Sequence, residues 1–163
     1  MKLKNKIGII TGSSRGIGKA LAVEAAREGA RVVINYKKNR WSAKKTLSEI
    51  LKAGSEGILV RADVSDLKDV RMLIKKTITK YNRLDFLINN AGFTSDALIE
   101  NMSYKDWDTV IKTHLYGPFY LMKYCLPYLS KTKGAIINVT SRAAFRGFLV
   151  KQIMQRPKQD SLL

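Results

Sequence analysis

A single cysteine, Cys125, excludes an intramolecular disulfide, and one histidine, His114, leaves no Cys/His cluster to hold a metal. No apolar stretch approaches the length that spans a bilayer. The N-terminus, Met1-Lys2-Leu3-Lys4-Asn5-Lys6, has no apolar core followed by a cleavage site. Only three prolines and eleven glycines are scattered through a chain that is 45% hydrophobic, which excludes a low-complexity or disordered class. A soluble cytoplasmic protein without a membrane partner is therefore expected. Acid is scarce as well: 13 Asp and Glu stand against 30 Lys and Arg, for a net charge of +17. Charge of that size suits polyanions. Here, however, the cations are spread along every segment beside apolar helix positions, and no basic run interleaves with aromatics as in a single-strand binding groove. They read as solvated lysine-rich faces, so specific nucleic-acid recognition is not expected.

What the chain does have is a glycine turn in a particular setting. Lys6-Ile7-Gly8-Ile9-Ile10 is an apolar run suited to a buried parallel strand. Thr11-Gly12-Ser13-Ser14-Arg15-Gly16-Ile17-Gly18 follows, and Ala20-Leu21-Ala22-Val23-Glu24-Ala25-Ala26 continues as strong helix formers. Strand, glycine turn and helix together present free backbone N–H groups to a phosphate. Glycines at 12, 16 and 18 permit the tight turn, close approach of a ligand and close helix–strand contact.

At 163 residues the chain supports one domain, and the same alternation repeats along it. Strands are expected at Arg31–Tyr36, Ile58–Val64, Leu84–Ile88 and Gly134–Thr140. Between them a helix fits Ser42–Ala53 with Gly54 as its stop, and Ser65-Asp66 offers a cap for a stripe of Val70, Leu73, Ile74, Thr77 and Ile78. Ser103 caps a long helical region through Trp107, Val110, Ile111, Leu115, Phe119 and Met122, bent near Gly117-Pro118. Strands alternating with helices predict an α/β fold with a doubly wound parallel sheet in three layers, because parallel neighbours need crossover helices. Ligands of such sheets bind at the strands' carboxyl ends, where the polar motifs of this chain fall.

Three of those motifs carry a resemblance. Thr11-Gly12-x-x-x-Gly16-x-Gly18, Asn89-Asn90-Ala91-Gly92 and Asn138-Val139-Thr140-Ser141 resemble, in order, the motifs of the short-chain dehydrogenase/reductase family. The match covers residues 3–148. Asn90 to Leu98 and Trp107-Asp108-x-Val110-Ile111 are most similar to its 3-oxoacyl-acyl-carrier-protein and acetoacetyl-CoA reductases. The resemblance implies a Rossmann-like domain that transfers hydride between a nicotinamide dinucleotide and a carbonyl or alcohol, such as a 3-oxoacyl thioester on acyl carrier protein or CoA. A sugar or other alcohol dehydrogenase of the same family, or a nucleotide-binding remnant without catalysis, are the alternatives. Homo-oligomers are a further expectation. By the resemblance, Gly12, Ser13, Ser14, Arg15, Gly16, Ile17 and Gly18 line the cofactor's pyrophosphate and ribose, Asp63 and Val64 meet adenine, and Asn90, Ala91 and Gly92 run along the cofactor. Where NAD binders carry an acid after the second strand, this chain has Tyr36, then Lys37 and Lys38, with Arg15 in the turn. Cations there attract a 2′-phosphate, which favours NADP over NAD. Ser141 matches the family's catalytic serine. His114 stands where the family has a structural, proton-relaying asparagine, and imidazole also donates and accepts.

The departures lie at the end. The family's tyrosine acid and its lysine have no counterpart, since no tyrosine follows Tyr128. A reading frame shifted two bases forward through Lys151–Asp160 admits the family's active-site run, with its tyrosine straddling Ile153 and Met154 and its lysine Pro157 and Lys158. The expectation is a dinucleotide-binding domain over 1–148, an aberrant, disordered tail over 149–163, and a truncated reductase lacking the family's last strands.

Overall fold

The computed structural model describes residues 1–95 and 97–141; the anomalous tail lies outside the described residues. The chain runs β1 (Ile7–Ile10), α1 (Gly16–Arg27), β2 (Arg31–Tyr36), α2 (Arg40–Lys52), β3 (Gly57–Arg61), α3 (Leu67–Tyr81) and β4 (Phe86–Asn89). A single 3-10 turn (Ile99–Asn101) then leads to α4 (Tyr104–Ile111), α5 (Gly117–Thr132) and β5 (Ala135–Asn138). All strand pairs are parallel, in the order β3-β2-β1-β4-β5. The doubly wound α/β fold is as expected; β2 has the expected bounds, and the other strands differ from expectation by one to three residues at their ends. The order reverses between β1 and β4, and the crevice outside their carboxyl ends is where this topology places a ligand.

Side chains of alternate strand residues enter opposite layers, as the two-residue strand period requires. Ile9, Val33, Val60 and Leu87 pack under α3 and α5, whose Leu73, Ile74, Leu121, Cys125 and Leu129 meet them. Ile10, Val32, Ile34, Phe86 and Ile88 pack under α1 and α2, against Ala22, Ala26, Ala43 and Ile50. Gly8 has a packing reason: it pairs in register with Phe86, and the Phe86 ring fills the space a Cβ would need.

Helix ends follow side-chain chemistry. Asn39 caps α2 through Ser42 N–H, Asp66 caps α3 through the N–H groups of Lys68 and Asp69, and Ser103 caps α4 through Asp106 N–H. The bend expected near Gly117-Pro118 takes the form of a π-helical turn, Lys112–Tyr116, immediately before α5. At the amino-terminal edge of the sheet Asp85 is a buried tie. Its carboxylate takes a two-bonded fork from Arg83 (2.8 and 2.6 Å), Ile7 N–H (2.9 Å) and the Lys6 ammonium (3.2 Å). Desolvation pushes that carboxyl up, but the Arg83, Ile7 and Lys6 bonds outweigh it and hold the group below the usual carboxylate range.

Candidate functional site

The turn after β1 is built from inside the protein. Gly12 and Gly16 take left-handed backbone (φ +62° and +58°), which glycine adopts without strain. A Cβ on Gly12 would lie 2.9 Å from Ala91 Cα, and one on Gly18 would lie 2.6 Å from the Gly12 carbonyl oxygen. These two glycines therefore let the turn, the first turn of α1 and the strand after β4 close on each other. Gly16 differs, because a Cβ there meets nothing within 4 Å. Its side faces open space at the helix N-terminus.

Asn35, at the end of β2, holds the turn in place. Its Oδ1 accepts Gly12 N–H (3.1 Å), its backbone carbonyl accepts Ser13 N–H (3.0 Å), and its own N–H donates to Ser13 Oγ (3.1 Å). Its Nδ2 donates to Ala62 O (2.9 Å), which ties in the end of β3. Ser13 Oγ in turn donates to Ile10 O (2.6 Å), and Ser13 is fully buried. Ser13, which the resemblance places among the cofactor residues, has its polar atoms engaged in the interior by Asn35 and Ile10. The amides left to a ligand come from Ser14 onward.

On the other side of the crevice Thr11 does the equivalent work. Its Oγ1 accepts the N–H groups of Asn90 and Ala91 (2.9 Å each) and donates to Ile88 O, while Asn90 Nδ2 donates to Thr11 O. The structure thus gathers Gly12, Gly18, Asn90 and Ala91 into one compact unit. Helix α1 begins at Gly16 with no side chain capping it and no acid in its first turn. Its leading N–H groups and the positive end of its dipole are open to an anion. Arg15 and Ile17 are exposed beside it.

At the β2–β3 side the expected residues form a pair. Lys37 Nζ lies 2.6 Å from Asp63 Oδ2, and Asp63 Oδ1 accepts both Ser65 N–H and Ser65 Oγ–H. Desolvation raises the Asp63 carboxyl, but the Lys37 and Ser65 bonds prevail and leave it below its ordinary value. Lys38, Arg40 and Arg15 are exposed and take part in no ion pair among the described residues. Tyr36 and Val64 are largely buried, and a Cβ on Gly117 would meet Val64 at 3.1 Å.

His114 sits in the π turn with Nε2 2.8 Å from Phe93 O and 3.2 Å from Phe93 N. One ring nitrogen serves either the carbonyl or the N–H at a given moment, whereas an amide side chain serves both. Gly92 lies under the ring, where a Cβ would come within 2.6 Å of His114 Cε1. Beyond β5, Val139 N–H donates to Asn89 O (2.9 Å) and Asn89 Nδ2 to Asn138 Oδ1 (2.8 Å). This pairing carries the chain to Ser141, exposed at the carboxyl end of the sheet. No group of three metal-ligating side chains occurs among the described residues, and no helix among them is long and apolar enough to cross a membrane.

Asn35 lies outside the motifs read from the sequence, whereas Thr11 opens the first of them and gains its bracing role only from the structure. The signal for Asn35 was present: an amide in the apolar strand Val32-Val33-Ile34-Asn35-Tyr36 must be buried and so must be bonded.

A parallel sheet with a glycine turn feeding an uncapped helix at its switch point defines the Rossmann-like class of α/β proteins. The family model for short chain dehydrogenases matches residues 6–153, and the chain belongs to that family. It is 42% identical over 146 residues to the 3-oxoacyl-[acyl-carrier-protein] reductase of Synechocystis sp., covering 89% of this chain and 59% of the relative. The corresponding reductase of Staphylococcus aureus is 37% identical, over 83% of this chain and 56% of its own length. A solved structure from Sinorhizobium meliloti 1021, assigned as a short-chain alcohol dehydrogenase, superimposes with a TM-score of 0.85 at 28% identity, covering 90% of this chain and 58% of that one. The chain therefore spans between half and two thirds of the length of these relatives.

Proposed function

We propose that the chain binds NADP(H) as the dinucleotide-binding part of a 3-oxoacyl-thioester reductase. One observation supports the coenzyme choice: the uncapped N-terminus of α1 adjoins the exposed Arg15, and the Asp63 carboxylate after β3 is paired with Lys37. The amides from Ser14 to Gly18 and the Arg15 guanidinium would hold phosphates. Lys38 and Arg40 supply positive charge toward a 2′-phosphate, with Tyr36 in place of an acid. Asp63 and Val64 flank the adenine side, and Asn90, Ala91 and Gly92 the nicotinamide side. The coenzyme, when bound, supplies the hydride. The thioester substrate, on acyl carrier protein or CoA, is inferred from the names of the relatives. Ser141 would hold the carbonyl oxygen, and His114 sets the Phe93 backbone next to Gly92.

The reading includes 1–148 as the binding domain with 149–163 apart from it, and self-association of copies through the exposed apolar residues of α5, Phe119 and Leu126. Ile153 and Met154 stand at the spacing from Ser141 where the family carries its tyrosine acid, which favours coenzyme binding without turnover. Fluorescence titration tests it. NADPH is expected to bind at least tenfold more tightly than NADH at low salt, and Arg15→Ala with Lys38→Ala to erase that preference. Equal affinity for the two, or none for either, would sink the proposal. Oxidation of NADPH by acetoacetyl-CoA at an ordinary enzymatic rate would separately refute the inactivity.

A further inference from the structure

Helix α2 turns an indole to solvent. Its 3.6-residue period sends Ala43, Thr46 and Ile50 into the core over β2 and β3, and the opposite face carries Trp41, Lys44, Lys45, Ser48 and Lys52. Trp41 is 65% exposed, and Leu51, at the margin of the same face, is 55% exposed. Helical rise sets these two apolar residues about 15 Å apart. The Lys45 ammonium lies over the Trp41 ring, 3.5 Å from its centroid, so charge and indole sit at one level. Lys44, Lys45 and Lys52 enter no ion pair among the described residues. The one acid of α2, Glu49, is taken by Lys19 of α1 at 2.7 Å. The face is therefore cationic, holds two apolar side chains and offers no free carboxylate.

An exposed tryptophan alone is ordinary. Its surroundings decide what suits it. A nucleic-acid strand asks for successive ring faces on which bases stack. Helix α2 has a single ring, Lys45 already covers one side of it, and Leu51 has no ring at all. A layer of anionic lipid headgroups accepts all of these groups together. Indole and leucine tips lodge at the boundary between headgroups and acyl chains, while lysine stems reach back to lipid phosphates and carboxylates. We propose that the outer face of α2 docks on an anionic membrane surface, with Trp41 and Leu51 entering the interface and Lys44, Lys45 and Lys52 meeting headgroups. Such attachment lies on one leaflet and needs no spanning helix. The face flanks β3, at the opposite edge of the sheet from β5, and it stands whether or not the coenzyme reading does.

Trp107→Phe leaves Trp41 as the sole indole of the full chain. The probe is a vesicle of one part phosphatidylserine to two parts phosphatidylcholine, at low salt. On binding it, Trp41 emission should move to shorter wavelength and its quenching by acrylamide should fall at least twofold, whereas pure phosphatidylcholine should change neither. In co-sedimentation, Trp41→Ser, which keeps the charge, should weaken binding at least fivefold. Lys44→Glu with Lys52→Glu should weaken it at least tenfold, and Lys75→Glu with Lys76→Glu, the same change of charge on α3, less than threefold. Equal loss in the two charge variants, or vesicle binding that leaves Trp41 emission unmoved, would show attraction by net charge alone and overturn the proposal. Full competition by saturating NADPH would overturn it by placing the lipid phosphates in the coenzyme crevice. Tighter binding of an oligo(dT) strand, abolished in Trp41→Ser, would overturn it in favour of nucleic acid. Should Trp41→Ser melt early, Leu51→Ser carries the same comparison.

Discussion

Replacing Asn35 by Ala should loosen the whole glycine turn while removing little volume from the core. The side chain fills two roles at once: it accepts Gly12 N–H at 3.1 Å and donates to Ala62 O at 2.9 Å. Alanine leaves both backbone groups without that partner. Stranding a buried donor or acceptor costs about 1–3 kcal/mol each. Gly12 is partly exposed and would recover some bonding to water, so the sum is about 2–4 kcal/mol. Against a domain stability of about 5–15 kcal/mol this is a large fraction. In urea, with a slope of about 2 kcal/mol per molar, the midpoint should fall by about 1–2 M with the slope unchanged. Asn35→Asp separates geometry from charge. It keeps the acceptor for Gly12 but turns a second oxygen toward Ala62 O and places negative charge close to the helix N-terminus. Coenzyme affinity should therefore drop further in Asn35→Asp than in Asn35→Ala at matched fraction folded. A loss below about 0.5 kcal/mol in Asn35→Ala would show that the turn holds itself and that the bonds described here contribute little.

Gly18→Ala should weaken coenzyme binding at least tenfold and destabilise by about 1–3 kcal/mol, because the added methyl meets the Gly12 carbonyl oxygen at 2.6 Å and backbone cannot rotate away; chemical denaturation and NADPH titration read the two effects. Asp85 sets an acid limb. Its folded pKa lies below the unfolded value of 3.8, so its contribution is complete above that value and is lost as pH falls through the folded pKa. Asp85→Asn should flatten the stability–pH curve in that acid range and cost roughly 1–3 kcal/mol at pH 7, a figure held down by the partial exposure of Arg83 and Lys6. An unchanged acid slope in the variant would refute the assignment. Burial pushes the Cys125 thiol up to about 12, so a thiol reagent at pH 8 should label it only at the rate of opening. Labelling as fast in native protein as in urea would show that α5 does not cover the sheet.

The fold was readable because each of its signals is local. Apolar runs of four to six residues between glycine stops and capped helices specify β1 to β5, and crossover geometry does the rest. Helix stops at Asn82 and Lys133 were harder, since both take left-handed backbone (φ 53° and 52°) that sequence assigns first to glycine. The site divides in the same way. Gly12, Gly16 and Gly18 announce themselves by residue type, whereas the partners that fix them come from strands far along the chain. Gly12 depends on Asn35, Gly18 on the Asn90 that bonds Thr11, and Gly92 on His114. Lys37 shows the limit most clearly. Read as a free cation it argues for a 2′-phosphate, but the structure pairs it with Asp63. On the proposed NADP(H) reading, that pairing leaves the 2′-phosphate to Arg15, Lys38 and Arg40, and Lys37 would screen the carboxylate that would repel it. It follows that Lys37→Ala should lower NADPH affinity by exposing Asp63, and that adding Asp63→Asn should restore most of the loss. If the double variant bound as weakly as Lys37→Ala, Lys37 would be a direct phosphate ligand and the screening argument would fall.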